Sequence, residues 1–284
     1  MSKQLTAPDI QALKGRKKIV AVTAYDYATG CIADAAEPDL VLVGDSLGMV
    51  VMGLPDTLGV TMEDMLHHCR CTARAVRHAL LVGDMPFLSY HAGVEQAVLN
   101  AGRFLKEGNT RAVKLEGGRA VLPQVRAIVA SGIPVVGHIG LTPQHVAGFG
   151  GFKAQGKTAE AARILLEDAR ALADAGCFAL TLEAMPREVA ARITEAVPIP
   201  TIGIGAGPDT DGQVLVFHDL LGLFDRFVPK FVKQYAQLFG PAVEAVRAYA
   251  EEVRRGTFPG PGADHRHGPQ GAGTAHGLTR RAWN

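Results

Sequence analysis

Five apolar runs in the chain end on an acidic or histidine side chain: LVLVGDS on Asp45 and Ser46, LLVGDMPF on Asp84, AVKLEGG on Glu116, PVVGHIGL on His138, and FALTLEAM on Glu183. Three carboxylates gathered in one cleft repel one another, and protonation or a bound cation must relieve the repulsion. Oxygen donors without cysteine or paired histidines favour Mg²⁺ over zinc, so Asp45, Asp84 and Glu116 are candidate metal ligands. Any one of these acids also reads as a helix cap or a loop hydrogen-bond acceptor, and for Asp45 alone that reading is as good as the metal role. Their recurrence on consecutive runs is what favours the metal reading.

Lys114 lies two residues before Glu116 and on a strand faces the same side. A lysine among apolar strand residues is costly to bury unless it meets an anion. That anion is either a substrate carboxylate or a structural partner in Asp84 or Glu116. His138 reads either as a donor to a substrate oxygen or as a satisfied core histidine. Glu183 falls on a later run, apart from the acidic trio, and is the candidate general base for a proton on carbon. Beside a 2-oxo acid chelated to Mg²⁺, this would generate an enolate stabilised by the metal and Lys114.

These residues need elements that bring their ends to one face. Continuous apolar runs of four to eight residues read as buried parallel strands, and here eight of them alternate with helical segments, which counts out a (β/α)8 barrel. An open doubly wound sheet is the competing architecture. In the barrel, strand ends meet on one face, and neighbouring strands about 4.8 Å apart let carboxylates at equal heights converge. Thr61, Gly108 and Gly176 are expected helix caps. A further amphipathic helix is expected over Lys230 to Arg255. From Gly256 onward, Gly, Pro, His and Arg without periodicity predict a disordered tail. Residues 1–255 are thus expected to form a single catalytic domain and 256–284 a tail.

The formal charge of +1 calls for no nucleic acid or anionic membrane partner. No long apolar span or secretory signal is visible, so a cytoplasmic location is expected. Cys31, Cys69, Cys71 and Cys177 show no CxxC spacing and read as structural thiols.

Over roughly residues 5 to 262, the motifs TAYDY, VGDSLGMVVMGLPDT, GDMPF, VKLEGG, GHIGLTPQ, GGFKAQG, LEAMP and IGIGAG occur in unbroken order. Together they resemble the ketopantoate hydroxymethyltransferase family. The resemblance implies a TIM barrel of the phosphoenolpyruvate/pyruvate type, assembled as a homo-oligomeric decamer. It also implies transfer of a one-carbon unit from 5,10-methylenetetrahydrofolate to 3-methyl-2-oxobutanoate, giving 2-dehydropantoate for pantothenate and coenzyme A. By motif, Asp45 and Asp84 match direct Mg²⁺ ligands and Glu116 the third metal-associated carboxylate. Asp45, Ser46, Asp84 and Lys114 match substrate contacts, Glu183 the proton acceptor, and His138 a histidine near the substrate oxygens. The rival activities are a carbon-carbon lyase or phosphonomutase on the same barrel, or a non-catalytic ligand-binding barrel. Lyases of this kind carry a cysteine in a mobile loop, and GGFKAQG has none.

Overall fold

The computed structural model describes residues 4–151 and 153–260. Eight strands close into a parallel barrel in sequence order. They are β1 (Ile19–Thr23), β2 (Leu40–Val43), β3 (Leu80–Asp84), β4 (Ala112–Glu116), β5 (Val135–Gly140), β6 (Ala179–Glu183), β7 (Thr201–Ile204) and β8 (Gly212–Leu215). Closure of β1 on β8, with Ile19 against Gly212, excludes the open sheet. The chain resolves into two compact units, 1–236 with the barrel and 237–284.

The helices of the first unit are α1 (Ala7–Gln11), α2 (Tyr27–Ala35), α3 (Leu47–Val50), α4 (Met62–Ala73), α5 (Val94–Lys106), α6 (Leu122–Ala130), α7 (Val146–Phe149), α8 (Ala159–Asp174), α9 (Arg187–Ala196) and α10 (Phe217–Leu221). Thr61 caps α4 as expected: its hydroxyl accepts from Asp64 N–H at 3.1 Å, and Asp64 accepts in return from Thr61 N–H at 3.0 Å. Gly176 follows α8 at φ +99°, also as expected. Gly108 does not take the left-handed turn after α5; Asn109 does, at φ +56°. A Cβ on Gly108 would lie 2.6 Å from the Phe104 carbonyl oxygen, so close approach is what requires glycine there.

Inside the barrel, Ile19, Ala21, Leu40, Val82, Val136, Ile202 and Val214 form an apolar core that Ala7 and Ile10 of α1 join. A second core, including Met65, Phe104, Ile128, Leu172 and Ile193, lies with the helix layer. Apolar residues therefore fill the lower barrel, and the polar side chains of β3 to β6 stand towards the carboxyl ends of the strands.

The second unit carries α11 (Phe239–Arg255), which begins nine residues later than periodicity predicts. A helix from Lys230 would put Pro241 in its interior, deleting a hydrogen bond and pressing its ring on the preceding turn; starting at Phe239 leaves Pro241 in the first turn. The expected disorder of the tail falls largely outside the described residues.

Candidate active site

Strand alternation turns Asp84, Lys114, Glu116 and His138 to one side, and all four are buried. The register pairs Asp84 with Lys114, Glu116 with His138, and Gly140 with Glu183. The acids are thus staggered around the barrel instead of level, because closure demands shear between strands. Asp45, one residue past the Gly44 that follows β2, comes in by its backbone: its N–H donates to Asp84 Oδ2 at 3.2 Å.

Lys114 Nζ donates to both oxygens of Asp84, at 2.7 and 2.6 Å, and lies 3.9 Å from Glu116 Oε1. The ion pair with Asp84, one of the readings left open by the sequence, is formed. His138 stands between two carboxylates, with Nδ1 3.3 Å from Glu116 Oε1 and Nε2 3.2 Å from Glu183 Oε2. Neither ring nitrogen is aligned for a hydrogen bond, and Glu116 Oε1 is likewise buried without one. Glu183 is therefore linked to the trio through His138. Its side chain, 17% exposed, is the most open of the three.

The charges report on one another. Burial raises the Asp45 carboxyl well above its usual range, and the Asp84 and Glu116 charges raise it further. Asp84 is also raised by burial, against the opposing pull of Lys114. Burial would raise Glu116 too, but the charge of His138 and contacts with Lys114 and the Gln144 N–H hold it below normal. Burial and Lys114 depress His138, yet Glu116 and Glu183 outweigh them and lift it to about 9. The cluster thus carries more negative charge than its two cations comfortably neutralise.

Among the described residues, no three His, Cys, Asp or Glu side chains are gathered closely enough to hold a metal ion as they stand. The donor set itself fits a hard cation: it is all oxygen, buried, crowded with negative charge, and leaves Glu116 Oε1 without an aligned partner. Asp45, Asp84 and Glu116 are the residues that would hold such an ion.

Two residues of this network escape sequence reasoning. Gln144 is buried, and its Nε2 donates at 2.9 Å to both Asp45 Oδ2 and the Met85 carbonyl. Its backbone N–H donates to Glu116 Oε2 at 3.0 Å. Tyr90 OH donates to Gln144 Oε1 at 2.6 Å and accepts from Glu116 N–H at 3.1 Å. Ser46, the remaining expected contact, shares a 2.9 Å hydrogen bond with Tyr25 OH. Nothing in the spacing of Gln144 or Tyr90 marks them, since a glutamine after Thr-Pro reads as a loop residue and a tyrosine as core.

Gln144 orients two of the three carboxylates, so Gln144→Leu is expected to weaken Mg²⁺-dependent binding of a 2-oxo acid by about 10–100-fold, the usual effect of losing a group that orients ligands. Titration calorimetry measures it. A change below threefold would reduce Gln144 to a packing residue.

The described helices include none long and apolar enough to cross a membrane. The described cysteines are free, with Cys69 and Cys177 buried. Residues 4–261 match the family model described as ketopantoate hydroxymethyltransferase. A 3-methyl-2-oxobutanoate hydroxymethyltransferase of Syntrophobacter fumaroxidans is 62% identical over 92% of this chain and 93% of its own length. Another, from Moorella thermoacetica, is 58% identical over 90% and 96%. Among solved structures, phosphonopyruvate hydrolase covers 93% of this chain and 92% of its own, with a TM-score of 0.59 at 13% identity. The 2,3-dimethylmalate lyase of the PEP mutase/isocitrate lyase superfamily covers 94% and 93%, with a TM-score of 0.56 at 18% identity. At such identities these two share the barrel alone. The long motifs that surround the buried acids, matched nearly end to end at more than half identity, go further: this chain belongs to the ketopantoate hydroxymethyltransferase family.

Proposed function

We propose that the protein transfers a hydroxymethyl group from 5,10-methylenetetrahydrofolate to 3-methyl-2-oxobutanoate, giving 2-dehydropantoate, the first committed step towards pantothenate and coenzyme A. The observation that carries the proposal is the buried array of Asp45, Asp84, Lys114, Glu116 and His138 leading to the more open Glu183. A Mg²⁺ ion held by Asp45 and Asp84, with Glu116 behind them, would polarise the 2-oxo group and make the C3 proton more acidic.

The chain's own residues do the rest. Lys114 and Ser46 hold the substrate's oxygens, and Lys114 offsets negative charge as it develops. Glu183 removes the proton from C3. His138, beside both Glu116 and Glu183, keeps positive charge next to the base and the substrate oxygens. The C3 carbon then bonds to the methylene carbon of the donor, and one water supplies the hydroxyl as tetrahydrofolate leaves. A decameric assembly working in the cytoplasm belongs to the same proposal.

Purified protein given 3-methyl-2-oxobutanoate, 5,10-methylenetetrahydrofolate and Mg²⁺ is expected to form ketopantoate. Folded, metal-loaded protein yielding none refutes the proposal, and cleavage of a 2-hydroxy acid instead would establish the lyase reading.

A further inference from the structure

Four of the described residues other than glycine take a left-handed backbone: Glu37, Leu88, Asn109 and Ala184. Ala184, at φ +45°, directly follows Glu183. In this conformation a Cβ crowds the following carbonyl, and alanine, unlike asparagine, has no side-chain hydrogen bond to offset the cost. Such a residue persists only where its surroundings over-determine it.

The surroundings do so at three points. The peptide group that joins Glu183 to Ala184 is held from both neighbouring strands. Its carbonyl accepts at 2.9 Å from the N–H of Leu141, one residue past β5, and its N–H donates at 2.9 Å to the Ile204 carbonyl of β7. The Ala184 carbonyl accepts from Gln155 N–H, also at 2.9 Å. Gly140 leaves room for this arrangement, since a Cβ there would overlap the Glu183 carbonyl oxygen.

The turn also decides what stands beside Glu183. Were the strand to continue, Met185 would alternate back to the face that carries Glu183. Instead Met185 is buried in the core of the helix layer, and the Glu183 carboxylate ends β6 at 3.2 Å from His138 Nε2.

We propose that Ala184 is a positioning residue for proton abstraction, its clamped left-handed turn fixing the direction from which the Glu183 carboxylate approaches C3. The inference rests on the proposed function, which makes Glu183 the base. A base must stand within hydrogen-bond reach of the proton it takes, and a misplacement of about 1 Å costs on the order of 100-fold in rate. Ala184 therefore matters through the backbone conformation that it accepts.

Three full-length variants test the inference through deuterium exchange at C3 of 3-methyl-2-oxobutanoate, with Mg²⁺ and without folate. Ala184→Val puts a β-branched side chain, which resists positive φ, at a half-buried position. Its kcat for exchange is expected to fall about 10- to 100-fold. Keto acid affinity, measured by calorimetry, should stay within about twofold of wild type, the split that separates a misplaced base from a damaged binding site. Ala184→Asn carries a side chain of comparable size that accepts the left-handed conformation, and should keep exchange within about threefold of wild type. Gln155→Pro deletes the N–H that holds the Ala184 carbonyl, from outside the barrel strands, and should lower kcat in the same sense; it carries the test if the valine variant does not fold. Wild-type exchange in Ala184→Val, or in Gln155→Pro where the valine variant does not fold, overturns the inference. So does an equal loss in the asparagine and valine variants, or a loss of keto acid affinity in step with kcat. Exchange that Glu183→Gln abolishes and Ala184→Val leaves intact sinks the positioning role alone, whereas wild-type protein that never exchanges C3 refutes the base assignment and the inference with it.

Discussion

Glu183→Gln is expected to lower Mg²⁺-dependent deuterium exchange at C3 of 3-methyl-2-oxobutanoate by about 10²–10⁴-fold, the span a positioned general base contributes. The substitution is nearly isosteric and keeps an oxygen within reach of His138 Nε2, now 3.2 Å from the carboxylate. It removes only the capacity to take a proton. Keto acid affinity, which the proposed function assigns to Asp45, Asp84 and Lys114, should change little, so kcat for exchange falls while the dissociation constant holds. Exchange that survives intact would mean that another group is the base. His138 would be the next candidate, being the other titratable group at hydrogen-bond distance from Glu183.

The fold and most of the candidate site are legible in the sequence for one physical reason. A strand buried on both faces must be apolar throughout, so each polar residue at its end stands out against the run that precedes it. Asp84, Glu116, His138 and Glu183 are visible in this way. Asp45 is visible too, although it acts partly through its backbone N–H. What stays hidden is any relation across strands. That His138 lies between Glu116 and Glu183 depends on barrel register, which no single segment encodes. Gln144 and Tyr90 are hidden because their roles arise from hydrogen bonds to residues 26 to 99 positions away or to each other. The late start of α11 is the opposite case, because Pro241 announces it and apolar periodicity outweighs the proline only on paper.

Lys114→Met is expected to destabilise the metal-free protein by about 3–5 kcal/mol at neutral pH, the cost of leaving a buried ion pair without one partner. Lys114 is the fixed cation of the cluster, held well above its usual range, against burial, by Asp84, Glu116 and Asp45. Methionine fills similar volume, so the loss reports on charge and not on a cavity. The deficit should shrink as the pH falls, because Asp45 and Asp84 carry raised values and, once protonated, need no counter-ion. His138 acts in the same direction at higher pH. Its folded value of about 9 lies above the ordinary 6.5, so the stability it contributes is fully present below 6.5 and is lost as the pH rises through 9. Lys114 is one of the groups depressing His138, so in the variant that loss should move to higher pH. Urea unfolding in EDTA between pH 5 and 10 measures both effects. Equal destabilisation at pH 5 and 7.5 would show that Lys114 matters for packing alone, and added Mg²⁺ should stabilise the variant more than wild type if a second cation can take over the neutralising role.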